Sequence, residues 1–459
     1  KAAATELAPA LAKMFQLSLE LGQVLDDWRE ATVVPIFKKG DRHQAANYRP
    51  VSLTSITCKI LEHIIHSSIM AHFDKYNILT DNQHGFRKKR SCESQLITTI
   101  HDIANNMAQH KQVDIILLDF AKAFDKVPYS RLLLKMSHYG VRDNTLMWIK
   151  SFLSGRQQQV VLDGATSEKA DVKSGVPQGS VLGPLLFLAY INDLPESAKS
   201  STTKLFADDS MMLKVINNMT DSKLLQKDLS ALEEWEHKWQ MSFNPLKCVV
   251  MRMAPKRTKI LQTNYTLHGH TLEVVDASKY LGVTITDDLS WDTHIKNVQR
   301  KGNQTVGFLR RNLRDCTKAV KDAAYKTIAR PTLEYAATVW DPSKQSSIKD
   351  LEQVQRRAAR FVQNDYTSKT PGCVTNMIED LQWDSLESRR QQARLQLLFK
   401  IHHGLLDIQA HQYLKTSDSR TRGANRFYQE RHTDKTFLNT FFPRNIRDWN
   451  SKPLRITSA

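Results

Sequence analysis

The spacing of apolar residues changes along the chain. Up to about residue 287 strand-like and helix-like patterns alternate, and from about residue 290 the pattern is almost entirely helical. It predicts helices over 6–27, 56–73, 92–109, 130–139, 143–153, 220–240, 293–313, 317–328, 331–340, 346–363 and 383–403. Strands are predicted over 31–37, 112–119, 157–162, 248–253, 265–268 and 279–285. The order indicates a mixed body, a helical bundle and an irregular basic tail.

One predicted hairpin carries an acidic turn. Asp208 and Asp209 stand side by side between two short apolar runs, and Asp119 lies at the carboxyl edge of the predicted strand 112–119. Adjacent anions repel and favour a counter-charge, most simply a divalent metal. An Asp-Asp pair alone is more often a plain surface turn. If strand and hairpin are neighbours, the three carboxylates suit two Mg²⁺ ions and in-line phosphoryl transfer.

The net charge favours a polyanionic partner. The 459 residues contain 65 Lys+Arg and 48 Asp+Glu, a formal charge of +17. Residues 389–459 contain 14 Lys+Arg and 5 Asp+Glu, so 14 − 5 gives +9 for this tail. This balance favours nucleic acid or an anionic membrane, whereas a merely solvated basic surface is the alternative for any single run.

The positions of the cysteines and the hydropathy of the chain indicate the redox compartment and bear on a membrane span. The five cysteines are scattered, which favours a reducing, intracellular compartment and no disulfide framework. The longest uncharged stretch, 174–192, contains three glycines and two prolines and is too broken for a membrane span. Since the chain starts at Lys1 rather than Met, we expect it to be part of a longer protein.

Seven short motifs follow one another in a fixed order. They are NYRPVSL at 47–53, QHGFRKKRS at 83–91, LDFAKAFDKV at 118–127, GVPQGSVLGP at 175–184, FADD at 206–209, NPLK at 244–247 and KYLGV at 279–283. This set resembles the reverse transcriptase of non-LTR retrotransposons, nearest to the jockey-like and chicken-repeat-like elements. The resemblance covers about residues 1–345, and FFPR at 441–444 and WN at 449–450 are similar to the end of those polyproteins.

The resemblance implies a fold and an activity. We expect an α+β right-hand polymerase with fingers and palm over 1–287, a helical thumb over 288–345 and a basic C-terminal extension over 346–459. The expected activity is RNA-directed DNA polymerase, copying element RNA from a DNA primer with two Mg²⁺ ions, or Mn²⁺. The expected partners are template RNA, primer or target DNA and deoxynucleoside triphosphates, without a membrane. Nucleus and cytoplasm are the expected location, and the oligomeric state stays open.

The resemblance also assigns catalytic and nucleotide-binding residues. Asp119 and Asp208 would bind both metals, Asp209 would be a third carboxylate, and Lys247 would donate a proton to pyrophosphate. The remaining assignments are the backbone of Phe120 and Ala121 at the triphosphate, Arg87 and Arg90 as its clamp, Gln178 at the incoming nucleotide, and Tyr280, Leu281 and Gly282 as the primer grip.

Several of these residues have a plainer interpretation. Phe124 would be the steric gate that excludes a 2′-hydroxyl, or else an ordinary core aromatic. For Gln178 the alternative is an ordinary strand-to-helix turn, and for Lys247 it is a surface lysine. Two rival functions also stay open: a domesticated or decayed copy that only binds RNA, and a two-metal nuclease. The nuclease would need neither a steric-gate aromatic nor a Pro-Gln-Gly loop.

Overall fold

The computed structural model describes residues 3–255, 258–415 and 426–451. The helices are α1 (Ala4–Leu21), α2 (Ile56–Lys75), α3 (Cys92–Ala108), α4 (Tyr129–His138), α5 (Asp143–Leu153), α6 (Leu182–Ile191), α7 (Leu194–Ser197), α8 (Met219–Trp239), α9 (Asp292–Asn312), α10 (Lys318–Ala324), α11 (Arg330–Glu334), α12 (Ala337–Trp340), α13 (Gln345–Gln363), α14 (Cys373–Asp380), α15 (Leu386–His402), α16 (Ala410–Tyr413), α17 (Lys435–Leu438) and α18 (Phe441–Asn450).

The strands are distributed over the first 286 residues. They are β1 (Glu30–Phe37), β2 (Tyr48–Leu53), β3 (Gln112–Leu118), β4 (Arg156–Leu162), β5 (Ala165–Thr166), β6 (Ala170–Val172), β7 (Thr202–Phe206), β8 (Asp209–Ile216), β9 (Val249–Met253), β10 (Thr266–Leu267), β11 (His270–Thr271), β12 (Glu273–Val274), β13 (Ala277–Tyr280) and β14 (Val283–Thr286). Mixed helices and strands with a largely antiparallel central sheet confirm the expected α+β class.

The central sheet has the strand order β12-β9-β3-β8-β7, with β3 antiparallel to both of its neighbours. All seven residues of β3 are buried, because other parts of the protein pack on both faces of the strand. Its side chains alternate between two cores, with Ile115 and Leu117 in one and Ile116 and Leu118 in the other. The continuous apolar run of this segment therefore reflects burial on both sides.

The two cores connect different parts of the chain to this sheet. One contains residues of α2, α4, α5, α6 and α8, and the other joins α3 to the C-terminal helices α13, α15 and α18. Helix α13 packs on α9, so packing continues across the predicted boundary between 345 and 346. The predicted domain limits stay predictions, but the C-terminal region shares its core with the central sheet.

A second sheet lies at the N-terminal side of the fold. β1 pairs with β2 in an antiparallel hairpin and with β4 in parallel, and β4 continues into β5 through a turn at Asp163 and Gly164. β6 also pairs with β4. This sheet brings the basic turn after β1 and Arg49 of β2 toward the palm.

Several predicted elements differ from the structure. The strand predicted over 279–285 is a hairpin of β13 and β14. The first helix ends at Leu21 rather than 27, because Gly22 adopts a left-handed conformation with φ of 61°. The predicted helix 331–340 is broken between α11 and α12 at Ala336, which has φ of 50°. The tail was predicted to be irregular, yet α18 forms there and buries Phe442, Ile446 and Trp449 at helical spacing.

Candidate active site

The three candidate carboxylates come together at one end of the central sheet. Leu118 of β3 is paired with Ser210 of β8, so Asp119 and Asp209 are the next residues at the same end of this strand pair. Asp208 lies in the tight turn between β7 and β8, where Phe206 is paired with Asp209. The sequence pattern predicted both the strand and the hairpin, and their adjacency in the sheet produces the cluster.

The carboxylates affect one another electrostatically. Partial loss of hydration and then the charges of Asp208 and Asp119 raise the pKa of Asp209 to about 6. Desolvation, followed by the charge of Asp119, also raises the pKa of Asp208. Asp208 and Asp209 have exposed side chains, so crowding by neighbouring protein rather than full burial removes the water. Two of the three carboxylates therefore hold a proton more tightly than they would in water.

One ammonium group lies against this cluster. Lys247 Nζ is 3.4 Å from Asp119 Oδ2, and both side chains are partly exposed. Asp119 Oδ2 has no hydrogen-bond partner, although little solvent reaches this atom. Within the described ranges, no three His, Cys, Asp or Glu side chains form a ready-made metal site.

The chemistry of the cluster nevertheless fits a hard divalent cation. Its donors are carboxylate oxygens, the ligands that Mg²⁺ and Mn²⁺ prefer. Desolvation and, after it, mutual repulsion raise two of the three pKa values, and a bound cation would relieve that repulsion. Asp119 Oδ2, which lies 3.4 Å from the Lys247 ammonium without a hydrogen bond, is a further candidate ligand atom.

Two positively charged side chains of the N-terminal sheet lie near enough to Asp208 to affect its pKa. Lys38, directly after β1, and Arg49, on β2, both oppose the rise of the Asp208 pKa. The sequence indicates Lys39 and Arg49 as weaker candidates for contacting the triphosphate or template phosphates, with a solvated basic turn as the alternative. Lys38 and Lys39 are adjacent, and the pattern does not show which of them faces the carboxylates. The pairing of Ile36 with Arg49 fixes that geometry in the folded chain.

Phe124 lies in a short helical turn after Asp119. Its ring stacks on Phe187 with centroids 4.3 Å apart, and it is only half-buried. The Val176 N–H donates a hydrogen bond of 2.7 Å to the Phe124 carbonyl. The ring is thus fixed from one side and keeps an open side, an arrangement compatible with both the steric-gate and the packing interpretations.

Gln178 is held in a loop that several elements fix. Its Nε2 donates to Asp125 Oδ1 at 2.8 Å, and its carbonyl accepts the Ser52 N–H at 2.8 Å. Glu62 Oε2 then accepts the N–H groups of Val181 and Leu182, at the start of α6. Asp125 and Glu62 were missed from the sequence, since only the fold brings α2 to this loop.

The structure does not support the predicted triphosphate clamp. Arg90 donates to the carbonyls of Asp81 and Gln83 and pairs with Asp407, and its side chain is 4% exposed. Arg87 donates to the Thr80 carbonyl at 2.7 Å, and burial lowers the pKa of its guanidinium. Both groups are committed to holding chain segments together, which the sequence alone could not reveal.

The backbone after Asp119 is also committed to internal contacts. Ala121 donates its N–H to the Ser242 carbonyl at 2.8 Å, and the Phe120 ring stacks on Phe243 at 4.2 Å. The Asp119 carbonyl accepts the Asn244 N–H at 2.7 Å. These bonds bring the predicted NPLK motif beside Asp119, while a triphosphate contact by Phe120 and Ala121 stays a prediction.

The predicted primer grip forms a tight hairpin between β13 and β14. Leu281 and Gly282 have φ of 45° and 85°, and the Tyr335 hydroxyl donates to the Leu281 carbonyl at 3.0 Å. The hydroxyl of Tyr280 accepts from Gln95 Nε2 at 2.6 Å, and burial, followed by the charge of Asp209, raises the pKa of this hydroxyl. The hairpin thus lies within electrostatic reach of the carboxylates, and its grip on a primer stays a prediction.

The sequence of this chain is similar to those of known proteins. Over 416 residues it is 27% identical to the probable RNA-directed DNA polymerase from transposon BS of Drosophila melanogaster, covering 86% of this chain and 45% of that protein. It is 28% identical over 364 residues to the RNA-directed DNA polymerase from mobile element jockey of the same species, covering 77% and 39%. The chain thus spans less than half the length of these curated relatives.

A solved structure and a family model also match this chain. Apo telomerase from Candida tropicalis is similar with a TM-score of 0.44 at 11% identity, covering 89% of this chain and 73% of that one. Residues 36–285 match the family described as reverse transcriptase (RNA-dependent DNA polymerase), and this match includes Asp119, Asp208, Asp209 and the primer-grip hairpin. The match covers more than half of the chain, which therefore belongs to the reverse transcriptase family, whose fold is the right-hand polymerase.

Proposed function

We propose that this chain is the polymerase part of a non-LTR retrotransposon and synthesises DNA on an RNA template. The observation that carries the proposal is the meeting of Asp119, Asp208 and Asp209 at one end of β3 and β8, in a member of the reverse transcriptase family. The relatives named for jockey and BS elements support the source. Such a chain would copy element RNA from a DNA primer, using deoxynucleoside triphosphates.

The three carboxylates would hold two Mg²⁺ ions, or Mn²⁺. When bound, these ions activate the primer 3′-hydroxyl and neutralise the triphosphate and the departing pyrophosphate. Asp119 and Asp208 would contact both ions, and Asp209 would add negative charge to the site. Lys247, which contacts Asp119, would move to the leaving pyrophosphate and give it a proton.

Other residues would bind and select the nucleotide. Lys38 and Arg49 would contact the triphosphate, and their effect on the pKa of Asp208 supports this role. Phe124 would lie under the sugar and exclude a 2′-hydroxyl. Gln178, oriented by Asp125, would contact the nucleotide beside it.

Polynucleotide binding would involve the remaining predicted features. The hairpin at Tyr280, Leu281 and Gly282 would press the primer end toward the carboxylates. Basic residues of the thumb helices would hold the duplex through its phosphates without reading sequence. Within the described residues, no helix has the length and apolar character needed to span a membrane. We also propose nucleus and cytoplasm as the location, because the scattered cysteines favour a reducing compartment.

Primer extension tests this proposal. The purified chain should extend a DNA primer on an RNA template when Mg²⁺ or Mn²⁺ is added, and it should stop when the metal is chelated. The Asp208→Asn protein serves as the control for contaminating polymerases. Template binding without extension, at any metal concentration, would contradict a polymerase and favour a chain that only binds RNA.

A further inference from the structure

The turn that carries the carboxylates is held by a side chain from outside its hairpin. Gln83 is 2% exposed, and its Oε1 accepts the N–H of Ala207 at 2.9 Å and the N–H of Gly85 at 2.8 Å. Ala207 directly precedes Asp208 and has φ of 53°, a left-handed conformation that is unfavourable for alanine. A hydrogen bond to this N–H favours the one turn geometry that places Asp208 and Asp209 at the site.

The backbone around Gln83 lies directly on the same hairpin. The N–H of His84 donates to the Leu205 carbonyl at 2.9 Å, and the N–H of Leu205 donates to the Asn82 carbonyl at 2.8 Å. A Cβ atom on Gly85 would lie 2.4 Å from the Ala207 nitrogen, so only glycine permits this approach. The loop 82–85 therefore acts as a support for β7 and the turn that follows.

Arg90 ties this loop to the C-terminal region. Its guanidinium donates to the Gln83 carbonyl at 2.9 Å and, through Nε, to Asp407 Oδ2 at 2.7 Å. The Asp407 N–H donates in turn to the Lys89 carbonyl at 3.0 Å. A continuous set of contacts thus leads from Asp407, through Arg90 and Gln83, to the residue before Asp208.

We propose that Gln83 is a positioning residue for the Asp208–Asp209 turn, and that Asp407 supports the same turn through Arg90. This inference rests on the proposed function, because the carboxylates that Gln83 positions are the proposed metal ligands. It also implies that the C-terminal region is needed for the geometry of those carboxylates. Arg90 then has a defined task in place of the triphosphate clamp predicted from its motif.

The first test replaces Gln83 by methionine. Gln83→Met keeps the approximate volume and removes the acceptor, and the matched control Asn82→Ala removes an exposed side chain of the same loop. Hydrogen exchange is measured on a peptide spanning residues 203–212 of the metal-free protein. Exchange should become about tenfold faster in Gln83→Met and stay unchanged in Asn82→Ala. In parallel, Mn²⁺ affinity read by electron paramagnetic resonance should weaken roughly tenfold.

The second test replaces Asp407, which is 49% exposed and tolerates change better than a buried residue. Asp407→Asn keeps the shape and removes the charge that faces Arg90, so exchange of the same peptide should become about threefold faster. This variant carries the test alone if Gln83→Met does not fold. Exchange equal to that of the parent in a folded Gln83→Met or Asp407→Asn protein overturns the proposal. A parent protein that binds no Mn²⁺ contradicts the proposed function instead, because the exchange measurement needs no metal.

Discussion

Asp341 and the three carboxylates of the active site differ in how many positively charged side chains contact them. Asp341 is buried and surrounded by arginines, with Arg390 Nε at 2.6 Å, Arg394 Nε at 2.9 Å and Arg444 at 3.1 Å. At the palm, three carboxylates share one contacting ammonium group, that of Lys247. The chain neutralises the first carboxylate completely and leaves the second group with excess negative charge.

This difference separates structural from functional charge. Asp341 joins α15 and α18 to the end of α12, so its arginines hold the C-terminal region together. Excess negative charge at the palm costs stability unless a cation binds, and its retention indicates a ligand site. The basic tail is affected too, because several of its arginines are committed to internal carboxylates and are not free for RNA.

The largest expected effect concerns the palm carboxylates. Asp208→Asn should lower the primer-extension rate by about a thousandfold or more, because a lost metal ligand removes several kcal/mol of transition-state stabilisation. Asp163→Asn, in another exposed acidic turn, is the matched control and should extend normally. The stability of Asp208→Asn should equal or exceed that of the parent, since repulsion is relieved. Near-normal extension by Asp208→Asn would remove this residue from the active site.

At Asp341 the expected effect is on stability instead. Asp341→Asn leaves buried guanidinium groups without their charge partner and should lower the free energy of unfolding by about 3–5 kcal/mol. Chemical denaturation measures this change, and the exposed Asp350→Asn in the next helix is the control. A loss below about 1 kcal/mol would mean that the arginine cluster does not hold the C-terminal region.

The third prediction concerns the selection of deoxyribonucleotides by Phe124, beside the active-site carboxylates. Phe124→Val should raise ribonucleotide incorporation by roughly one order of magnitude or more while deoxyribonucleotide incorporation falls moderately. Phe124→Tyr keeps the ring and should keep the selection. Single-nucleotide extension with each sugar measures both rates. Unchanged rejection of ribonucleotides by a folded, active valine variant would assign Phe124 to packing against Phe187.

The smallest effect is on the pH dependence of stability without metal. The folded pKa of Asp209, about 6, lies above the ordinary value of 3.8, so the folded chain holds this proton more tightly. The contribution of Asp209 to stability is fully present below about 3.8 and is lost as pH rises through about 6. Asp209→Asn should therefore match the parent near pH 4 and exceed it near pH 7 in denaturation with a chelator. Equal differences at both pH values would show that Asp209 is not perturbed.

Local patterns predicted the elements that build the active site. The apolar run of β3 and the two flanking runs of the acidic hairpin were sufficient to predict both elements, because each is specified by neighbouring residues. The helix predicted over 143–153 corresponds to α5, which spans the same residues. The roles of the individual site residues stay predictions until they are tested.

Partners far apart in sequence could not be predicted. Arg90 and Asp407 are separated by 317 residues, and nothing in the basic motif indicates that its arginine faces a C-terminal carboxylate rather than a triphosphate. Likewise, the basic and aromatic composition of the tail predicts an irregular segment, yet α18 forms there, with Pro443 in its first turn, where a proline is compatible with a helix. Tertiary packing decides both cases.

The central claim is that Asp119, Asp208 and Asp209, at the end of β3 and β8, form a cation site. Direct titration with Mn²⁺ tests this claim. Electron paramagnetic resonance counts the bound ion in the full chain without any nucleotide turnover. We expect saturable binding by the parent protein and by Asp341→Asn where it is still folded, and a loss of at least about tenfold in affinity in Asp119→Asn. Equal Mn²⁺ affinity in the parent and in a folded Asp119→Asn protein would contradict the account.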